Sequence, residues 1–170
     1  MYLYHGSNLS IETIDLDRCR PYKDFGKGFY LTEMKEQALK MAYRVSTIYG
    51  GTPIVNVYEI SESIYDEKEL NIRKFGSNPS PEWAVFVMNN RSHEFRKMKS
   101  EEHNLDNKYD IVVGAIADDD MAVLFRQYQN EWIDFDALLR GLTFKSATNQ
   151  YSFHTQKALE YIQKIGEFHG

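Results

Sequence analysis

Cysteine is almost missing from this chain: Cys19 is the single one in 170 residues. One thiol excludes an internal disulfide and any metal cluster built from several cysteines. An unpaired thiol also fits a reducing compartment. Basic excess is missing too, since the net charge is -5. No global positive field therefore draws the chain to nucleic acid or anionic lipid, although a local basic patch is not excluded. The opening residues MYLYHGSN carry no basic n-region and no apolar h-region, so no signal peptide is expected. No apolar run approaches membrane-spanning length. Repeats, low-complexity tracts and linkers are likewise absent from the sequence. The expectation is a cytoplasmic protein without a membrane partner.

What is present suits one core. Hydrophobic residues make up 42% and aromatic residues 14% of the chain, enough for a single domain over residues 1–170. Strands are expected at Tyr2–His5, Phe29–Thr32, Ile54–Ile60 and Tyr109–Ala115, with a weaker one at Leu70–Phe75. Thr32 is placed to cap a helix from Glu33 to about Ile48, ended by Gly50–Gly51. Ser80 and Pro81 read as cap and first residue of a helix to about Asn90. Asp118–Asp120 cap a helix to about Gln129, and Ile133–Leu142 reads as a short helix. Asn149–His154 is an alternating strand, after which Thr155 opens a last helix to about Ile165. Arg91–Lys108 is highly charged and reads as helix or exposed loop, with no metal-ligand spacing. Trp83 and Trp132 are expected in the core. Short strands interleaved with helices, without a strict βαβ rhythm, indicate an α+β or mixed α/β fold.

Three short stretches could carry chemistry. DFGKGFYLT, residues Asp24–Thr32, sets two glycines around a lysine and follows them with an aromatic pair. It lacks the spacing of a P-loop, and no strand precedes it as a dinucleotide fingerprint requires. It is either a tight turn into a buried strand, with Gly26 and Gly28 at φ > 0, or the wall of a pocket for a flat ligand. LYHGS, Leu3–Ser7, puts a histidine and a glycine at a strand end. The histidine is either structural or open to a ligand. NQYSFH, Asn149–His154, sets Gln150, Ser152 and His154 on one face, either a solvated face or part of a site.

In this order the three stretches resemble the ADP-ribosyltransferase superfamily, on its poly(ADP-ribose)-polymerase-like and diphtheria-toxin-like side. Those enzymes carry H-G-S/T on a first strand, G-x-G-[IF]-Y ahead of a helix, and N-E-Y on a later strand. YDIVVGAIADDD is also similar to a bacterial family assigned to this superfamily, some of whose members are encoded beside a small antitoxin. The resemblance implies an ADP-ribosyltransferase-like split antiparallel β core with flanking helices. It implies NAD as co-substrate, transfer of ADP-ribose to an acceptor that could be protein or nucleic acid, and an antitoxin as a candidate partner.

The roles implied are specific. His5, Tyr30 and Gln150 form the catalytic set. His5 would bond the adenosine-side ribose, Gly6 would offer its backbone to the carboxamide, and Tyr30 would stack on the nicotinamide. Ser7, Gly28 and Phe29 belong to the same NAD-binding stretches. Arg20, within the cluster Arg18, Arg20, Lys23 and Lys27, is a candidate for the pyrophosphate, as guanidinium suits bidentate phosphate contact. Two departures stand out. Gln150 replaces the family's glutamate, which removes a charge from the site; the alternative to turnover is an inactive NAD- or ADP-ribose-binding module. In the following helix, Ala38 and Met41 replace a serine and a second stacking tyrosine, a role Tyr43 is near enough to take. The run Asp118–Asp120 is either a compensating carboxylate or a plain helix cap.

Overall fold

The computed structural model describes residues 1–93, 102–143 and 148–170. The segment Arg91–Lys108, expected as helix or loop, includes residues 94–101, which lie outside the described part. The strands are β1 (Tyr2–Ser7), β2 (Phe29–Thr32), β3 (Ile54–Ile60), β4 (Ile72–Lys74), β5 (Ile111–Ala115), β6 (Asn149–Phe153) and β7 (Ile162–His169). The α-helices are α1 (Lys35–Tyr49), α2 (Pro81–Arg91), α3 (Asp119–Gln129), α4 (Phe135–Thr143) and the single turn α5 (Gln156–Leu159). The fold is α+β, with one seven-stranded sheet in the order β4-β5-β6-β2-β1-β3-β7. The sheet is mixed, because β4 and β5 run parallel while the other neighbours are antiparallel.

Its thinnest join lies near the middle. β1 and β3 pair along six residues of β1, whereas β1 and β2 share one register pair, Tyr4 with Thr32. The sheet is thus continuous but narrowly joined at a seam between β4-β5-β6-β2 and β1-β3-β7.

Small residues decide how the helices dock. Gly6 lies so close to α1 that an added Cβ would sit 1.9 Å from the Ala38 carbonyl oxygen. Ala38 and Ala42 are the buried residues of α1, and with Val55 they form a compact cluster over β1 and β3. α2 is buried on nearly every side, so Trp83, Ala84, Phe86, Val87 and Met88 all enter one core cluster with Val112, Met121, Phe125, Leu138 and Leu142. A helix enclosed in this way has no clean polar stripe. Ser80 caps α2 by accepting from Trp83 N at 3.2 Å, with Pro81 in the first turn. A second cluster, including Leu3, Phe29, Leu31, Tyr58, Ile111 and Phe153, forms the other part of the core.

Three expectations are corrected. The chain after Thr155 makes one helical turn and then β7, not a helix to Ile165. The β3–β7 ladder skips a residue between Lys164 and Gly166, so Ile162 packs on one face with Tyr58 and Ile60 while Phe168 packs on the other with Val55, and the strand shows no regular alternation. Trp132 is not core: it is 74% exposed. Thr32 does not cap α1 directly; Met34 holds the cap position without a side-chain bond, and Thr32 Oγ1 accepts from Met34 N at 3.1 Å.

Candidate functional site

The stretches LYHGS, DFGKGFYLT and NQYSF form β1, β2 with its preceding loop, and β6. They are consecutive neighbours, β6-β2-β1, in the sheet. Residues 5, 30 and 150 are far apart in sequence, yet the strands that bear them lie about 5 Å apart in turn.

The register divides their side chains. Tyr4, Thr32 and Gln150 form one row across the three strands, and Tyr30 sits beside Ser152 two residues along. Tyr30 and Gln150 therefore share a face. His5 follows Tyr4 and turns the other way, stacking on Phe29 with ring centroids 4.4 Å apart. The three candidate side chains do not converge from one face. His5 reaches β2 through the seam instead, by a 2.7 Å bond from Nδ1 to the Tyr30 carbonyl.

That bond defines the His5 ring. A carbonyl only accepts, so Nδ1 carries the proton. Burial lowers the His5 pKa, the Tyr30 bond opposes this, and the charge of Lys23 lowers it further. The neutral ring then offers Nε2 as an acceptor. Among the described residues nothing bonds Nε2, and the residue is partly buried.

The Tyr30 hydroxyl serves the loop before β2. It donates to the Gly26 carbonyl at 2.7 Å and accepts from Phe25 N at 3.0 Å. Burial, and then the charge of Asp24, raise its pKa well above the ordinary phenol value. Gly26 has φ +93°, as expected of a glycine turn, whereas Gly28 has no positive φ. Gly28 is small for another reason: a Cβ there would lie 2.6 Å from His154 Nδ1. His154, 4% exposed, donates from Nδ1 to the Lys27 carbonyl at 2.8 Å and faces Ser152 Oγ with Nε2 at 2.8 Å. Burial pushes its pKa down to about 4. The Ser152–His154 face is thus interior, not solvated.

Asp24 was not singled out from the sequence, and it is the centre of the polar network. Its Oδ1 takes Arg91 Nε at 2.7 Å and the Arg91 terminal nitrogen at 2.6 Å. Its Oδ2 takes Ala117 N at 3.0 Å and Gln150 Nε2 at 2.6 Å. Arg91 also donates to the Ala117 carbonyl at 3.2 Å. Asp24 and Gln150 are 7% and 8% exposed. A buried carboxylate needs such partners. Its one sequence signal was an acid set directly before an aromatic–glycine turn. Arg91 was hidden in a charged segment that read as solvated.

The remaining candidates separate from this centre. Phe29 is core, packed between His5 and Tyr58. Ser7 is buried, and its hydroxyl accepts from Leu9 N at 3.3 Å. Tyr43, 49% exposed, lies by Gly170, whose backbone bonds Pro53 next to β3, and is not brought over Tyr30. Arg20 lies over the Tyr49 ring at the C-terminal end of α1, 4.9 Å from guanidinium to centroid. Asp118 caps α3 by accepting from Met121 N at 2.8 Å. A groove of about 1140 Å³ opens between α2, α3 and α4, lined by Phe125, Arg126 and Trp132 among others. Its link to the network is Arg91. Among the described residues no three of His, Cys, Asp and Glu gather as a metal site would require, and no helix is long and apolar enough to cross a membrane.

The geometry thus defines an α+β domain with His5 bridging the β1–β2 seam and a separate buried polar network of Asp24, Arg91 and Gln150 over β6 and β5. The chain belongs to the family described as Protein of unknown function (DUF3990), whose model matches residues 1–164. No curated protein and no solved structure matches the chain.

Proposed function

We propose that this protein binds NAD at the seam between β1 and β2, cleaves the nicotinamide–ribose bond and transfers a single ADP-ribose unit to a macromolecular acceptor. The observation that carries the reading is the adjacency of LYHGS, DFGKGFYLT and NQYSF as β1, β2 and β6. The one-pair join of β1 and β2 also suits the split core implied by the resemblance.

His5 Nε2 and Gln150 Oε1 lie on opposite faces of the sheet, so they can serve the two different riboses of such a ligand, not the same one. His5 Nε2 can accept a hydroxyl proton, because Nδ1–H is committed to Tyr30. Gln150 Oε1 can accept another, because the amide nitrogen is committed to Asp24. Breaking the nicotinamide–ribose bond develops positive charge on the ribose, and a carbonyl dipole held beside it lowers that cost. A neutral amide does this less well than a carboxylate, as bonds to charged groups are about twice as strong. Slow, single transfer fits this site better than polymer synthesis. Stacking of nicotinamide on the Tyr30 ring is part of the reading, whereas Tyr43 is not.

A second reading, a binding module without turnover, has its own support. Asp24 is the carboxylate that touches Gln150, and both of its oxygens are engaged by Arg91, Ala117 and Gln150. Calorimetric titration tests the shared step: NAD is expected to bind, and His5→Ala to weaken it about tenfold, the worth of one hydrogen bond. No heat at millimolar NAD would refute both readings. Labelled NAD then separates them, with transfer or nicotinamide release supporting the enzyme.

A further inference from the structure

The bonds around Gln150 fix which end of its amide points where. Nε2 lies 2.6 Å from Asp24 Oδ2 and 3.4 Å from the Ala115 carbonyl. Both of those groups only accept, so the amide cannot sit the other way round. Among the described residues nothing bonds Oε1, and Gln150 keeps 8% of its surface exposed. Asp24 is itself immobilised: two Arg91 nitrogens hold one oxygen, and Ala117 N holds the other.

We propose that Asp24 is a positioning residue that locks the Gln150 amide so that Oε1 faces the ligand as a fixed acceptor for a ribose hydroxyl. The ligand in this inference rests on the NAD reading; the locked amide does not. The physical logic is one of donors. Arg91 takes one oxygen of position 24 while Ala117 N and Gln150 Nε2 share the other, so an asparagine cannot satisfy both sets: its oxygen goes to the charged Arg91, and its NH₂ meets Gln150 and leaves Ala117 N without an acceptor. The Gln150 amide would then rotate, and the group offered to the ligand would change from acceptor to donor. A nicotinamide fragment, which has no ribose, would not sense that change.

Two measurements on the full chain test this. In ¹⁵N-labelled protein the Gln150 side-chain NH₂, assigned by its loss in Gln150→Glu, is expected to exchange at least tenfold more slowly than that of exposed Gln163. Asp24→Asn should abolish the difference. Exchange as fast as Gln163 in the unaltered protein would overturn the lock, whether or not the variant folds. Titration with NAD and, separately, with nicotinamide reads the consequence. Asp24→Asn is expected to weaken NAD about tenfold and nicotinamide less than twofold; equal losses would overturn the positioning role. If the unaltered protein binds no NAD, the functional reading and the ribose as occupant both fall, while the exchange rates still decide the lock.

Discussion

Restoring a glutamate at position 150 should destabilise the protein, and by an amount set by pH. Gln150 Nε2 sits 2.6 Å from Asp24 Oδ2 in a buried position. Gln150→Glu replaces that donor by an acceptor, so two carboxylates meet about 3 Å apart. At an effective dielectric of about 20 their repulsion is about 5 kcal/mol, less whatever Arg91 offsets. Protonation of the introduced carboxyl is the cheaper escape. From an unfolded pKa of about 4.3, holding the proton at pH 7 costs about 4 kcal/mol, and at pH 5 about 1 kcal/mol. The folded pKa of that introduced group is raised, so the native state of the variant holds the extra proton. Stability is therefore full below about pH 4.3 and falls as pH rises toward the folded pKa. Urea unfolding of the unaltered protein and the variant at pH 5 and pH 7 measures this directly. The expected loss is about 1 kcal/mol at pH 5 and up to about 4 kcal/mol at pH 7. Asp24→Asn in the same chain should recover much of it. A pH-independent loss, or a more stable variant, would refute the reasoning.

Three other perturbations probe separate parts of the fold. Gly6→Ala pushes a Cβ to 1.9 Å from the Ala38 carbonyl oxygen, so β1 must leave α1, and a thermal melt should show a loss of about 3 kcal/mol. His154 is held neutral, with its pKa lowered to about 4 from 6.5. Its contribution is complete above about pH 6.5 and is lost as pH falls toward 4, up to about 3 kcal/mol; in His154→Asn the unfolding free energy should vary less with pH across that window. Tyr30→Phe removes the bonds to Phe25 N and Gly26 O and should cost about 1–2 kcal/mol, with faster hydrogen exchange at the Phe25 amide.

Several strands of the sheet were legible because their signals are local. Ile54–Ile60 alternates, Ile111–Ala115 is a run buried at every position, and Phe29–Thr32 follows a glycine turn. The Ser80–Pro81 start of α2 was legible for the same reason, since a cap acts within one turn. β7 was not, because the bulge opposite Val57 and Tyr58 belongs to the pairing and moves the apolar residues from one face to the other, which leaves no alternation in the sequence. Nor was the exposure of Trp132, which depends on where α3 and α4 meet.

Local signals along the chain were enough for the α+β class, most element positions, and the three stretches that supply the seam. What their side chains do there came only from the way the strands assemble. Assembly set His5 and Gln150 on opposite faces, because strand pairing fixes parity between segments that are distant in the chain. It committed the Tyr30 hydroxyl to its own loop and gave Gln150 a buried acid as partner. Asp24 precedes Gln150 by 126 positions. Nothing in local propensity couples them; the contact exists because β2 and β6 pair and the loop before β2 folds back over β6.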